Sequence, residues 1–429
     1  MRMRPRVFLV LIVSVALLFI KGQARADVFQ VQVLSLEECV EIALSGHPDL
    51  AAARSDLEAS RARVGQARTQ DNPSLAYSTS YTERGSSLQG SSGGLWSSSL
   101  TLSQLVTDWG KTHSSVKRSL SEQEISSLSL KQALLDVEYD VRRAYFLLLK
   151  AEKNLEVAKE TMSINELQLE KAEAFFEAGR VSRYDVTAAQ VSRSNANMAL
   201  IQARTSRDNA MSDLRKAMGF TGAEFGVSDP EGLSEMTENK NLPLLEQALQ
   251  AAYEKRPDLL SWKNRVESAR LSVTLAKLDN APKLSLSGSF GWGSSSFFGD
   301  EDWRGALTLS FSLYDGGLQK EKTREALSSM QAVEARCESF RQTVATEIES
   351  ALSRARDSES EIEAAGEGLR LAGENLEIAT GRYQVGVGSP IEVSDAARNY
   401  IDAKVAWHSA IYDRMIALAA LEKAIGGSR

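Results

Sequence analysis

Apolar or small residues recur in alternating steps of four and three along two very long stretches of the chain. The first runs Val137, Val141, Ala144, Leu148, Ala151, Leu155, Ala158, Met162, then Leu169, Ala172 and Phe176, interrupted once at Asn165. The second runs Val344, Ile348, Ala351, Ala355, Ser358, Ile362, Ala365, Leu369, Ala372, Leu376, Ala379, Tyr383. A seven-residue rhythm held this long makes helices pack side by side with a supercoil. Alanine at 196, 203, 210 and 217, and again at 403, 410, 417 and 424, lets neighbouring backbones approach closely. The chain is built from rods, and rods this long are expected to enclose no conventional globular core.

The rods come in two copies. A shift of 207 residues carries Val137–Ala217 onto Val344–Ala424 without a gap. Upstream, "LSLEECVEIALSGHPDL" (34–50) matches "LPLLEQALQAAYEKRPDL" (242–259), and "DNPSLAYSTSY" (71–81) matches "DNAPKLSLSGSF" (279–290). Such self-similarity means one supersecondary plan used twice. It divides the chain into a leader (1–26), a first repeat (27–219), a linker (220–242) and a second repeat (243–429). Each repeat reads as short helix, helix, two strands, long helix, helix. The helix over about 112–176 has roughly 65 residues and would be about 98 Å long. The helices at 47–70 and 183–218 together nearly equal it, so one long helix beside two short ones stacked end to end is the simple packing. The second repeat offers 317–383, 257–279 and 391–425 for the same arrangement.

Between the short and long helices the period changes to two. "SLAYSTSY" (74–81) alternates Leu75, Tyr77, Thr79 and Tyr81 against small residues, and "KLSLSGSFGW" (283–292) does the same with Leu284, Leu286, Gly288, Phe290 and Trp292. "WSSSLTLSQLV" follows with Leu100 and Leu102, and "WRGALTLSFSL" with Leu307, Leu309, Phe311 and Leu313. Strands of about ten residues are long enough to cross an outer membrane at a tilt. Tyr77, Tyr81, Trp96, Phe290, Trp292 and Trp303 are placed as interfacial aromatics would be. A soluble sandwich edge is the competing reading of these strands. Four spanning strands cannot close a barrel, and lipid tolerates no open edge, so spanning requires several chains. Two chains would give a barrel filled by side chains, and three would leave some lumen, lined by Ser97, Ser99, Ser285, Ser287 and Ser289.

Composition narrows the partners. The opening "MRMRPRVFLVLIVSVALLFIKGQARA" has a basic start, an apolar run over Val7–Ile20 and a small-x-small site at Ala24-Arg25-Ala26, which reads as a secretory signal peptide. The apolar run is short for a membrane anchor. Without the leader's five basic residues the chain has 45 basic and 57 acidic residues, a net charge of −12. That excludes the basic footprint of a nucleic-acid binder. Cys39 and Cys337 make no disulfide scaffold, and are read as small apolar residues against the alternative of a single bridge. His47, His113 and His408 are scattered with no metal-ligand spacing, and no phosphate-cradling glycine motif is present. Neither catalysis nor a cofactor is expected.

What remains are the two helix-to-helix turns, "EAGRVSRYDVTAA" (177–189) and "QVGVGSPIEVSDAA" (384–397). Gly179 and Gly386 suit helix C-termini. Ser182 with Asp185, and Ser389 with Glu392, suit helix N-caps, and Pro390 suits a first helical position. Capping accounts for Asp185 and Glu392. Asp395 lies beyond the first turn, where capping does not call for an acid, and its counterpart in the first copy is Ala188.

The duplicated plan, "P-D-L" at 48–50 and 257–259, "Y-D-G-G" at 314–317 and "Y-x-V-G…I-x-V-x-D-A" at 383–396 together resemble the TolC family of outer-membrane efflux proteins. The resemblance covers essentially the whole mature chain. It implies a mixed α+β, mostly α fold: a homotrimer whose twelve-stranded β-barrel continues into a long α-helical periplasmic tunnel. It implies residence in the outer membrane and service as the passive exit duct of a tripartite efflux pump or a type I secretion system. The duct would be opened by an inner-membrane transporter and a periplasmic adaptor docking on the turns at Gly179, Ser182, Gly386, Gly388, Ser389 and Pro390. Family members narrow their periplasmic mouth with two acidic rings, which align with Glu392 and Asp395. They hold it shut with links that align with Tyr383 and Asp185. The linking arginine of the family is Gly388 here, and Arg180 and Arg183 on the opposite turn are candidate substitutes. The alternative is a periplasmic coiled-coil adaptor or scaffold without a barrel, which would have no need of four alternating, aromatic-edged strands.

Overall fold

A computed structural model describes residues 32–84, 93–220, 225–229, 242–294, 300–385 and 387–427. The leader, the hairpin tips at 85–92 and 295–299, most of the linker, and Gly386 lie outside the described residues. Among these, a short strand β1 (Gln32–Leu34) opens the chain. It leads into α1 (Leu36–Gly46), whose start is fixed by a reciprocal capping box. Glu38 N–H donates to Ser35 Oγ at 3.2 Å, and Ser35 N–H donates to Glu38 Oε2 at 2.8 Å. Then come α2 (Pro48–Arg68), β2 (Ser74–Arg84), β3 (Gly93–Thr107), α3 (Lys111–Glu177), α4 (Arg183–Met218) and β4 (Phe225–Val227). The second half supplies α5 (Leu245–Lys255), α6 (Pro257–Lys277), β5 (Lys283–Ser294), β6 (Asp300–Ser310), α7 (Leu318–Gln384) and α8 (Pro390–Ile425).

The rods form a layer one helix thick. α3 packs against α2 and α4 on one side and against α6 and α8 on the other, and α7 packs against α6 and α8. α3 and α7 each have 67 residues, about 100 Å of helix. α2 and α4 lie end to end along α3, and α6 and α8 lie end to end between α3 and α7. At the first junction Gly219 ends α4 with φ +62, a left-handed conformation that disfavours a Cβ. A Cβ there would also sit 2.8 Å from Pro48 Cδ and 3.2 Å from His47 Cα, so the close stacking of α4 on α2 needs the glycine. At the second junction Arg256 Nη2 lies 2.7 Å from Asp258 Oδ2 and 2.8 Å from Glu347 Oε2. Its Nη1 donates to the Ala424 carbonyl at 3.3 Å, tying α6, α7 and the end of α8 together.

Contrary to the expectation of rods without a core, the waist of the layer carries one. α1, β1 and β4 lie across the middle of α3 and the C-terminal end of α4. They bury Cys39, Ala43, Leu50, Val141, Tyr145, Leu148, Leu149, Leu214 and Met218 almost completely. β1 and β4 pair in parallel, Gln32 opposite Phe225. The Tyr145 hydroxyl donates to the Ser228 carbonyl at 2.6 Å and to the Leu34 carbonyl at 3.3 Å, which fastens both strands to α3. The heptad seam alone cannot bury side chains as large as Tyr145 and Phe146, and the crossing elements supply the missing cover. Cys39 lies inside this core and Cys337 is half-buried on α7; both are free thiols, so the single-bridge alternative fails. Burial, with Glu38 and Glu37 nearby, pushes the Cys39 thiol up to about 12.

At one end of the rods, four strands make an antiparallel sheet in the order β2-β3-β5-β6. Two matching devices join it to the rods. Asp108 accepts from Gly110 N–H and Thr112 N–H before α3, and Asp315 accepts from Gly317 N–H and Gln319 N–H before α7. Trp109 takes a left-handed φ of 56 in the first of these, where the second has Gly316. Lys111 and Lys322 both pair with Asp279, at 2.7 and 2.6 Å, and link the starts of α3 and α7 to the end of α6. One strand is shorter than expected at its end. β6 stops at Ser310, which pairs with Lys283, the first residue of β5, so Phe311 and Leu313 lie beyond the ladder.

Candidate functional site

The far end of the rods holds the two turns. In the first, Gly179 has φ +69; its N–H donates to the Phe176 carbonyl at 2.9 Å, and Arg180 N–H donates to the Phe175 carbonyl at 2.8 Å. This is the glycine-centred helix stop that satisfies the last free carbonyls. Ser182 then opens α4. Its N–H and its hydroxyl both donate to Asp185 Oδ2, at 2.9 and 2.8 Å. Those two bonds hold the Asp185 carboxyl below the usual carboxylate range. Arg180 and Arg183 are exposed, and neither forms an ion pair among the described residues.

The second turn is built differently. Val387 N–H and Gly388 N–H both donate to the Arg382 carbonyl, each at 3.0 Å. Gly388 has no room for a side chain: a Cβ would lie 2.9 Å from Tyr383 N and 3.0 Å from Arg382 Cβ. Ser389 Oγ accepts from Glu392 N–H at 3.2 Å, and α8 starts at Pro390. The Glu392 carboxylate does not turn back onto its own cap, as Asp185 does. Its Oε2 lies 3.6 Å from Arg382 Nε. Arg382 was not singled out from sequence; it lies beside the heptad residue Tyr383 and reads there as ordinary surface charge.

Between the two turns opens a cleft of about 310 Å³, lined by residues of both hairpins. It brings together Asp185, Tyr383 and Asp395 from the sequence-derived candidates, and adds Lys171, Phe175, Tyr184 and Arg398. Arg180, Arg183, Gly388 and Glu392 do not line it. The Tyr383 hydroxyl and the Asp185 carboxylate share the cleft without a hydrogen bond between them, because Asp185 is engaged by Ser182. Asp395 is exposed and has no ion-pair partner among the described residues.

At the opposite end, strand register sorts the sheet into two faces. Tyr81 lies opposite Trp96, Tyr77 opposite Leu100, Leu100 opposite Phe290, and Phe290 opposite Trp303. Leu75, Leu102, Leu286, Trp292, Leu307 and Leu309 fall on the same face. The other face carries Ser78, Ser80, Ser97, Ser99, Thr101, Ser285, Ser287 and Ser289. The aromatic residues gather toward the hairpin tips, with Tyr81 and Trp96 rings 5.1 Å apart and Tyr77 and Trp292 rings 6.3 Å apart. Trp303 is 79% exposed and Leu307 65%, so this is an apolar face without cover in the single chain. A second aromatic group, Trp109, Phe311 and Tyr314, is exposed at the helix end of the sheet. The edge strands β2 and β6 each leave one row of backbone groups unpaired.

These features agree with what the chain is similar to. It is 24% identical over 415 residues to the outer membrane protein TolC of Escherichia coli, spanning 92% of this chain and 83% of that protein. To the outer membrane protein TolC of Vibrio cholerae it is 26% identical over 296 residues, or 67% of this chain and 66% of that protein's length. Among solved structures, that of CusC, described with its transmembrane channel formation, superimposes with a TM-score of 0.82 at 18% identity, covering 92% of each chain. Residues 39–220 and 248–427 match the model of the outer membrane efflux proteins, and the chain belongs to that family.

Proposed function

We propose that this chain forms a channel-tunnel in the cell outer membrane, the passive exit duct of a tripartite efflux pump or type I secretion system. The observation that carries the reading is the four-stranded sheet, with one uncovered apolar face, one small polar face and two unpaired edges. In lipid such edges must be closed. Three copies would close twelve strands into a barrel, apolar outside and serine-lined inside. The rods follow the same lateral order, so closing the sheet also brings α7 of one copy beside α2 and α4 of the next. Both rod edges carry apolar residues seven apart that are exposed in the single chain: Tyr184, Val191 and Met198 on α4, and Leu371 and Ile378 on α7. A heptad stripe on each edge suits a neighbouring rod.

In this reading the leader 1–26 directs export, and 27–219 and 243–429 are two copies of one plan joined by 220–242. The equal lengths of α3 and α7, and of α4 and α8 at 36 residues each, support it. The turns at Gly179, Ser182, Gly386, Gly388, Ser389 and Pro390 meet the periplasmic adaptor, and an inner-membrane transporter drives the cargo. Asp395 lines the mouth as a ring of carboxylates that favours cations. Tyr383 and Asp185 face each other across the cleft as the movable contact of the gate. The test is purification from outer-membrane fractions, followed by mass measurement and planar-bilayer recording. A trimer with discrete conductance is expected, and Asp395→Ala should weaken block by multivalent cations. Recovery only as a soluble periplasmic monomer would instead favour an adaptor or scaffold.

A further inference from the structure

We infer that Arg382 sets the charge of the mouth by neutralising Glu392 within its own turn, so that Asp395 alone supplies the acidic ring. The inference rests on the duct reading above and changes its arithmetic. Arg382 holds the second turn at three points. Its carbonyl accepts Val387 N–H and Gly388 N–H at 3.0 Å each. Its Nη2 donates to the Val387 carbonyl at 3.5 Å, and its Nε lies 3.6 Å from Glu392 Oε2. The turn is wrapped around this one residue, and Gly388 permits the wrapping because its bare Cα lies against Arg382 and Tyr383.

The first turn shows the contrast. There the residue in Arg382's place is Phe175, and the acid in Glu392's place is Asp185, which closes its own cap on Ser182 at 2.9 Å. The second turn divides those tasks. Ser389 caps Glu392 N–H, and the freed carboxylate faces a cation. Both side chains are about half exposed, so the pair adds little to stability. What it changes is fixed charge. Of the six ring-aligned carboxylates in a duct of three chains, three then lack an ion-pair partner among the described residues, and Asp185, Lys171 and Arg398 are the other charged groups of the cleft. The departure at Gly388 is thus matched by a cation at 382, turned toward its own chain.

The test records the purified full-length protein in planar bilayers at low salt, where the screening length is about 30 Å. The readouts are the cation-to-anion permeability ratio and the half-blocking concentration of hexamminecobalt(III). Arg382→Gln should raise the ratio and lower the half-blocking concentration several-fold. Glu392→Gln should move both the opposite way. The double substitution should return both to the wild-type values, and Arg382→Lys, which keeps the charge, should stay near wild type. Unchanged selectivity in Arg382→Gln, or a double variant that does not return, would overturn the inference alone. Absence of any conductance from the wild-type protein would overturn the duct reading with it.

Discussion

Replacing Gly388 by alanine tests the architecture of the second turn. The added Cβ would lie 2.9 Å from Tyr383 N, 3.0 Å from Arg382 Cβ and 3.1 Å from Arg382 C. Two of these three atoms are backbone and cannot rotate aside. Relief must come from lengthening the bonds that Val387 and Gly388 donate to the Arg382 carbonyl. Overpacking of this kind costs about 1–3 kcal/mol. The turn lies far from the buried waist, so the cost falls on local opening and leaves the melting temperature nearly unchanged. An opening free energy lowered by about 1–3 kcal/mol corresponds to roughly 5- to 150-fold faster amide exchange. Hydrogen-exchange mass spectrometry of peptides covering 382–393 measures it directly. Gly388→Arg should loosen the turn in the same direction, although the resemblance implies an arginine at this position. Unchanged protection of those peptides in both variants would refute the close-packing argument, and slower exchange in the arginine variant would show that a lock had been rebuilt.

Four further outcomes follow from other positions. Gly219→Ala should destabilise the protein by about 2–4 kcal/mol, from left-handed strain of about 1–2 kcal/mol plus the collision with Pro48. Gly65→Ala, in an exposed helix interior with nothing within 4 Å, should gain about 0.8–1 kcal/mol, and thermal unfolding in detergent compares the two. Tyr145→Phe takes the hydroxyl donor from the Ser228 carbonyl, while the Leu34 carbonyl keeps Ser228 N–H at 3.3 Å, and should cost about 1–3 kcal/mol by the same measurement. Lys111 and then Lys322 hold the Asp279 carboxyl down to about 2, below its ordinary value. Its contribution is therefore fully present above about pH 4 and is lost as pH falls through about 2. Asp279→Asn should flatten the stability curve between those limits, and an unchanged slope there would remove Asp279 from the junction's ion pairs.

Much of this fold was legible because glycine, proline and N-cap residues punctuate it. The observed ends of α2, α3, α4, α6, α7 and α8 fall within two residues of those expected from the heptads and caps. Strand alternation likewise named the residues that the register places on one face. The waist was hidden for a physical reason. β1 and β4 have three residues each, too few to show a period, and their pairing depends on residues far apart in sequence. His47 as the cap of α2, accepting from Asp49 N–H through Nδ1 at 3.2 Å, breaks the usual residue preference. Trp109 in a left-handed conformation becomes readable only beside Gly316. Between the two turns, sequence named Asp395, Tyr383 and Asp185, which the structure gathers in one cleft, but Glu392's partner is a side chain whose direction no motif reveals.

The parallel pairing of β1 with β4 also orders the assembly of the molecule in time. Gln32 finds its partner only when Phe225 has arrived, with the whole of α1 to α4 and the first hairpin between them. A chain that emerges from a translocon amino end first must therefore hold its leading strand, and the face of α1 that carries Cys39, unsatisfied throughout that interval. The first hairpin emerges in the same interval with its leucines and tyrosines uncovered. Contacts this distant in sequence form slowly, and exposed apolar edges invite aggregation meanwhile. The short ribbon at the waist thus closes only once the end of the first half has arrived, and slowing delivery of residues 84–225 should lengthen the interval in which these faces stay uncovered.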